Sequence, residues 1–240
     1  MKNTLSLGTL TRNLLLGVLT LTALTAAGCG DDPASPGGPT TTSVIPKTGS
    51  VYNYASYKTV EGNKVSGSDS TYKFTTTANA AAFQGKSNVV TFNDGSDETR
   101  VAYEANGDVS LWAVNNEGEG TWMTYPFVSK TPFSLPVETV YAELPSGIDT
   151  ITTSITAKHV GTQEITVGSE KFATQKVEFA LSMAHHWNGN SGGSIFKTTF
   201  YYAPKIGMFV RTDEETVINE FDGSTSHEGE IRTLTSYTLK

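Results

Sequence analysis

Residues 172–183 read Phe-Ala-Thr-Gln-Lys-Val-Glu-Phe-Ala-Leu-Ser-Met. From Val177 onward every second residue is apolar, which is typical of a β-strand with one buried face and one solvated face. Similar segments precede this stretch at 151–159 and follow it at 195–203. Because the apolar residues recur with a period of 2 rather than 3.6, the centre of the chain predicts strands rather than helices.

The same pattern extends over the chain from about residue 44. Turn sequences such as 93–96 (Asn-Asp-Gly-Ser) separate about a dozen strand-like segments, spaced roughly 8–12 residues apart. Short turns between neighbours favour a meander, and a sheet of that size tends to curl or close. We therefore predict one all-β domain over 44–240, an antiparallel up-and-down meander forming a curled or closed barrel, with a β-sandwich as the alternative. The Pro-rich stretch 129–145 is predicted to be irregular, with one short strand near 137–141.

The charge of the chain excludes two classes of partner. After residue 28 there are 15 basic and 24 acidic residues, for a net charge of about −9. Nucleic acids and anionic lipid surfaces are bound through basic patches. We therefore expect no nucleic-acid partner and no electrostatic attachment to lipid.

The first 28 residues have the pattern of a secretory signal peptide. Lys2 and Arg12 precede an apolar run, and small residues follow it at 26–28. The uncharged stretch 13–28 is shorter than the ~20 apolar residues that a membrane-spanning helix needs. We predict a cleaved leader over 1–28, followed by a Pro/Gly/Thr-rich flexible tether over 29–43.

The chain has a single cysteine, Cys29, and the segment Ala26-Ala27-Gly28-Cys29 resembles the lipobox of bacterial lipoproteins. The resemblance implies cleavage between Gly28 and Cys29, a diacylglycerol on the cysteine thiol, and a further acyl chain such as palmitate on the new amino terminus. The alternative is ordinary signal cleavage that leaves a free thiol. Asp31 and Asp32 resemble the surface-export signals of Bacteroidetes-type lipoproteins, or they begin a solvated tether.

A second resemblance covers about forty residues near the end of the chain. Residues 170–177 and 199–210, which include Tyr-Ala-Pro-Lys-Ile-Gly at 202–207, are similar to the closing strands of uncharacterised secreted bacterial β proteins. Some of those have open-barrel folds similar to the lipoprotein carriers of the Lol system. The alternative is a simple hairpin, in which Pro204 ends one strand and Gly207 permits the turn.

The polar motifs do not assemble into a catalytic or metal site. His159 and the Gly-Asn-Ser-Gly-Gly loop around Ser191 look like protease segments, but no aspartate lies between them in sequence to orient the histidine. His185 and His186 are adjacent, and adjacent residues of a strand point to opposite faces. We expect no catalytic residue, no metal site, no cofactor and no enzymatic activity.

Aromatic residues are the remaining candidates for a binding site, and in an open barrel they line a ligand cavity. The candidates are Trp112, Trp122, Trp187, Tyr201 and Tyr202. The alternative is that they belong to the core. The sequence thus predicts a lipoprotein of the bacterial outer membrane, facing the periplasm or the cell surface, whose domain binds a small ligand or an envelope protein. The alternatives are a structural or assembly lipoprotein and a hydrolase with an unrecognised site.

Overall fold

The computed structural model describes residues 43–114, 120–144, 147–187, 190–220 and 223–240. The predicted leader, Cys29 and the tether as far as residue 42 lie outside this part of the chain. The described residues form thirteen strands and no helix. The strands are β1 (Val51–Val60), β2 (Asn63–Lys64), β3 (Ser70–Phe83), β4 (Lys86–Asn93), β5 (Glu98–Tyr103), β6 (Val109–Val114), β7 (Gly120–Tyr125), β8 (Phe133–Leu144), β9 (Gly147–Val167), β10 (Glu170–Trp187), β11 (Asn190–Ala203), β12 (Met208–Asn219) and β13 (Thr225–Thr238).

All the strands belong to one antiparallel sheet. Its order is β7-β6-β5-β4-β3-β1-β13-β12-β11-β10-β9-β8, and the short β2 pairs with β1. The first and last long strands therefore pair in the middle of the sheet, whereas its two edges, β7 and β8, are consecutive in sequence. The sheet curls into a nearly closed barrel, so the predicted up-and-down barrel is confirmed and the sandwich alternative is wrong.

The seam of the barrel lies between β7 and β8. Among the described residues no backbone ladder joins these two strands. The edge strand β7 instead packs across the interior against the other half of the sheet, since its Tyr125 ring lies 5.9 Å from Phe179 of β10 and 5.0 Å from Phe200 of β11. The closure therefore depends on packing across the interior.

The prediction of an irregular segment at 129–145 is wrong for most of its length, and the short strand predicted near 137–141 is part of a longer one. Residues Phe133–Leu144 form the edge strand β8, although Pro136 lies within it. Pairing with β9 shifts between Leu135 and Glu138, so Pro136 occupies an irregularity of the ladder. Proline is tolerated at such a place because an edge strand leaves half of its N–H groups outside any ladder.

Bulges decide which side chains face the interior. One lies in the β11–β12 ladder between Tyr201 and Tyr202. Another lies in the β1–β13 ladder, where Tyr54 opposes Leu234 and Asn53 opposes Ser236. A bulge inserts one residue and exchanges the two faces of the strand beyond it, so strict alternation cannot predict the facing of every residue.

The interior is filled by side chains from both halves of the sheet. Four rings form what we call the inner aromatic cluster: Phe127, Phe200, Tyr202 and Phe209, with centroid separations of 4.7 to 5.9 Å. Aliphatic residues of β4, β10 and β12 complete this core, among them Val90, Val177 and Val210, which have no exposed surface. Burial of this kind stabilises a domain by about 25 cal/mol per Å² of apolar surface.

Candidate ligand cavity

The interior contains a cavity of about 160 Å³. It lies between β1, β3 to β6 and β11 to β13, and its wall is mostly aromatic and aliphatic. Seven rings contribute to the wall: Tyr54, Phe74, Phe92, Tyr103, Phe200, Tyr202 and Phe209. Concave sites lined by rings with a few polar groups are the usual form of a small-molecule site.

One end of the cavity is closed by the turn between β11 and β12, residues 203–207, which we call the plug turn. Three buried tyrosine hydroxyls donate hydrogen bonds to carbonyls in or next to it. Tyr52 reaches Ile206 O at 2.9 Å, Tyr103 reaches Gly207 O at 2.7 Å, and Tyr54 reaches Phe209 O at 2.6 Å. Burial raises the pKa of each of these hydroxyls, which keeps them protonated as donors.

The plug turn also contacts the segment before β1. Val44 N donates to Pro204 O at 2.8 Å, and Gly207 has a φ of 63°. A Cβ at Gly207 would overlap Val44 O, so the close approach of the two backbones requires glycine as well as the positive φ. The Tyr-Ala-Pro-Lys-Ile-Gly motif of the sequence therefore includes the turn of the β11–β12 hairpin, and this turn packs into the end of the barrel through the buried Ile206.

Polar side chains of β12 and β13 lie at another part of the cavity wall. Thr212, Glu214 and Arg232 line it, and we call them the polar wall. Arg232 Nη1 is 4.0 Å from Glu214 Oε1, and its Nη2 is 3.5 Å from Glu230 Oε1. Burial raises the pKa of Glu214, opposed by the nearby Arg232 guanidinium. The polar wall thus combines a hydroxyl, a cation and its two acidic neighbours beside aromatic rings.

The structure separates the predicted ligand-lining aromatics. Tyr202 lines the cavity, as predicted. Tyr201 faces the other side of the sheet, where its hydroxyl donates to Asp213 Oδ2 at 3.1 Å and its ring lies beside Arg211 and Lys176. Trp187 ends β10, and its side chain is outside the described part of the structure.

Trp112 and Trp122 come together, but outside the barrel. They are cross-strand partners on β6 and β7, and their ring centroids are 5.1 Å apart. Phe83 packs edge-on against both, at 5.3 and 6.2 Å, and completes what we call the outer aromatic cluster. Leu111, the neighbour of Trp112, lines the cavity. Because successive side chains of a strand alternate in facing, the tryptophans cannot line it.

The outer aromatic cluster is covered by its own neighbours. Arg100 Cζ lies 4.5 Å from the Phe83 centroid, and Lys86 Nζ lies 5.7 Å from the Trp122 ring. The Trp122 indole donates to Gln84 O at 3.0 Å. The Trp112 ring lies over Gly120, where a Cβ would overlap it. These contacts explain the cluster as packing on the outer face of the sheet.

The histidine and serine segments that look like a protease are far apart. His159 opposes Val177 in the β9–β10 ladder, whereas Ser191 opposes His186 in the β10–β11 ladder. The nine residues from Val177 to His186 span about 30 Å of strand. His159 Nε2 is 3.0 Å from Gln175 Oε1 and the exposed His186 Nδ1 is 2.9 Å from Ser191 Oγ, so the two segments form no common site.

Metal-ligating clusters and membrane-spanning helices are not found among the described residues. In the described ranges, no group of three or more His, Cys, Asp or Glu side chains is arranged to hold a metal ion. None of the described residues forms a helix with the length and apolarity to cross a membrane.

Sequence reasoning missed Tyr103 of β5, the polar wall, and the role of the tyrosine hydroxyls of β1. Tyr52 and Tyr54 alternate with polar residues, which indicated a strand face but not that their hydroxyls reach a turn about 150 residues away in sequence. The polar wall was not predicted because the charged sequence around Thr212, Glu214 and Arg232 is typical of a solvent-exposed face. The available signal was the spacing of two between Thr212 and Glu214, which places both side chains on the same face of a strand.

Comparisons with known proteins give a limited result. No protein-family profile matches the chain, and no curated protein matches it. A solved protein from Bacteroides fragilis, assigned as exported and with a YmcC-like fold, aligns with a TM-score of 0.42 and 13% identity, over 82% of this chain and 99% of that one. The hypothetical lipoprotein YmcC from Escherichia coli aligns with a TM-score of 0.30 and 10% identity, over 79% and 86% of the two chains. With TM-scores below 0.5 and identities below 25%, neither likeness extends to function.

Proposed function

We propose that this chain is a lipid-anchored lipoprotein of the bacterial outer membrane whose barrel binds a small apolar ligand in its interior, without catalysing a reaction. The observation that carries the proposal is the cavity of about 160 Å³, walled by aromatic rings and closed at one end by the plug turn. An engineered apolar cavity of about 150 Å³ in another protein stays dry and binds benzene. The volume of this cavity therefore suits a ligand about the size of one aromatic ring.

The proposed anchor and tether would keep the barrel close to the membrane. Acylation at Cys29 by two or more chains holds a protein stably at a membrane, whereas one chain does not. The segment 29–43, predicted as a tether, is 15 residues long and rich in Gly, Pro and Thr, and as far as residue 42 it lies outside the described residues. The barrel then lies near the membrane surface, where apolar molecules partition.

Ligand binding is tested on the mature chain from Cys29, with Cys29→Ser to keep it free of acyl chains. Toluene and xenon are titrated, and the NMR shifts of the aromatic and methyl groups of the cavity wall are followed. We expect saturable shifts at Phe200, Leu111 and Val101. Leu111→Trp should fill the cavity and abolish them, whereas Trp112→Phe on the opposite face of the same strand should leave them unchanged. Unsaturable or scattered shifts would contradict a binding cavity and favour a structural or assembly role.

The anchor is tested separately in cells. Cys29→Ser should abolish labelling with radioactive palmitate and release the protein from the membrane fraction. A Cys29→Ser protein that still carries the label would refute the lipoprotein assignment, whatever the cavity binds.

A further inference from the structure

Two residues of the polar wall stand side by side in the sheet. Thr212 of β12 is the direct partner of Arg232 of β13, and on its other side it is the partner of Phe200 of β11. Directly opposed residues of antiparallel strands point to the same face, with Cβ atoms about 4.5–5.5 Å apart. All three residues line the cavity. A hydroxyl, a guanidinium and an aromatic ring therefore form one continuous part of its wall.

Both polar residues have a buried atom without a hydrogen-bond partner among the described residues. These atoms are Thr212 Oγ1 and Arg232 Nε. Thr212 is only 7% exposed, so bulk water does not readily satisfy its hydroxyl. Buried polar groups of proteins are almost always paired, and two unpaired neighbours at a cavity indicate a missing partner. A threonine exchanges its methyl and hydroxyl by one χ1 rotation, which lets the hydroxyl face a ligand.

The charges around Arg232 decide what kind of partner fits. Its terminal nitrogens already face Glu230 and Glu214, and its Cζ lies 4.6 Å from the Tyr72 ring centroid. An anionic ligand group would meet the two carboxylates and be repelled. A cationic group would be repelled by the guanidinium and could not accept from Nε–H. Among the atoms without a partner at this wall, the Thr212 hydroxyl and the Arg232 Nε–H can both donate to one acceptor.

We propose that the cavity selects a small neutral molecule with a carbonyl oxygen next to an apolar ring or short chain, such as a ketone, ester or amide. A carbonyl oxygen has two lone pairs, so it accepts one hydrogen bond from Thr212 Oγ1 and one from Arg232 Nε. The apolar part of the ligand then packs on Phe200 and the other rings of the wall. This inference rests on the proposed ligand-binding function and names the chemical class of the ligand.

The test compares two probes that differ only at the acceptor. Acetophenone carries a carbonyl, and α-methylstyrene has the same shape with a CH₂ in place of the oxygen. Their dissociation constants are measured by calorimetry on the mature chain with Cys29→Ser, and the ratio of the two constants is compared between variants. The ratio cancels the general effect of a mutation on cavity shape and stability.

Thr212→Val keeps the shape of the side chain and removes its hydroxyl. We expect the preference for acetophenone over α-methylstyrene to fall roughly three- to tenfold, the effect of one hydrogen bond. Thr216→Val is the matched control, because Thr216 is also 7% exposed, is on the same strand with the same facing, and is not part of the cavity wall. It should leave the ratio unchanged. Arg232→Lys, which removes Nε–H and keeps the charge, should lower the ratio as well.

The outcomes separate this inference from the proposed function. If neither probe binds the unmodified cavity, the ligand-binding function itself is wrong. If both bind but Thr212→Val and Thr216→Val give the same ratio, the cavity binds apolar ligands and the selection of a carbonyl is wrong. Tighter binding of benzoate than of acetophenone would also overturn it, since it would show an anion site. A ratio that falls in Thr212→Val alone among the threonine variants supports the carbonyl site.

Discussion

The inner and outer aromatic clusters lie on opposite sides of one sheet, and their rings have different roles. Three of the four rings of the inner cluster, Phe200, Tyr202 and Phe209, line a cavity, and the turn at its end is held by buried tyrosine hydroxyls. Rings of the outer cluster pack edge-on against each other and are covered by Arg100 and Lys86. An aromatic side chain therefore says little about binding until its facing is known. The facing depends on the phase of the strand and on the positions of bulges.

The largest difference between the clusters is expected for removal of a ring. Phe127 has no exposed surface and stacks on Tyr202 with centroids 4.7 Å apart, so Phe127→Ala leaves a cavity in the core. We expect it to lower the free energy of unfolding by about 3–5 kcal/mol. Trp112→Ala, at a half-buried outer position, should lower it by roughly 1–2 kcal/mol, because solvent and the neighbouring rings fill the space.

Urea unfolding followed by circular dichroism measures both changes. The m-value checks that the same surface is exposed in each variant. Equal losses for the two variants would show that the outer cluster contributes as much to the core as the inner one, and the distinction between the clusters would fail.

An intermediate difference in the free energy of unfolding is expected when one polar group is removed from the interior or from the outer cluster. Tyr103→Phe deletes the hydroxyl that donates to Gly207 O, leaving a buried carbonyl of the plug turn without that partner. We expect a loss of about 1–3 kcal/mol in the free energy of unfolding. Trp122→Phe deletes the indole N–H that donates to Gln84 O at an exposed place, where water replaces the donor. Its loss should be about 0.5 kcal/mol or less from the hydrogen bond.

Amide hydrogen exchange adds a local readout to this pair. Tyr103→Phe should speed exchange at Ile206 and Gly207, whose N–H groups donate to Ala203 O at 3.1 and 3.0 Å. Trp122→Phe should leave these two amides unchanged. Exchange that rises equally in both variants would indicate general destabilisation rather than a role of Tyr103 in holding the plug turn.

The alternation in segments such as 172–183 was enough to predict the strands, the antiparallel meander and its closure. It was not enough to predict which aromatics face inward. Tyr201 and Tyr202 are neighbours on β11 and face opposite sides by ordinary alternation, whereas β12 changes phase at the bulge around Val210, so that Phe209 and Thr212 both line the cavity. The edge strand β8 was predicted only in part, near 137–141, since Pro136 argues against a longer strand until its place at the sheet edge is known. Contacts between residues distant in sequence, such as Tyr52 with Ile206, leave no local pattern.

The smallest effect is expected at the rim, where the plug turn meets the outer surface. Glu170 pairs with Lys205 of the turn and accepts a hydrogen bond from Tyr237 at 2.9 Å. The Lys205 hydrogen bond, with that of Tyr237, lowers the pKa of Glu170 below its ordinary value. A carboxyl whose pKa is lower in the folded state stabilises the fold above its unfolded pKa, and this contribution is lost as the pH falls through the folded pKa.

Glu170 should therefore affect how the stability of the fold depends on pH in the acid range. Below about pH 4 the unmodified chain should lose the stability that the ionised Glu170 contributes. The Glu170→Gln variant lacks this contribution at every pH, so its free energy of unfolding should decline slightly less steeply between pH 5 and pH 3. The urea midpoint measured across this range checks the expectation. In 1 M salt the difference between the two proteins should be smaller, because the Debye length falls to about 3 Å. Identical slopes for both proteins at low salt would show that Glu170 is no more than a solvated surface charge. In that case the plug turn is held by the hydroxyls of Tyr52, Tyr54 and Tyr103 and by the backbone hydrogen bond from Val44 to Pro204, without a contribution from the rim.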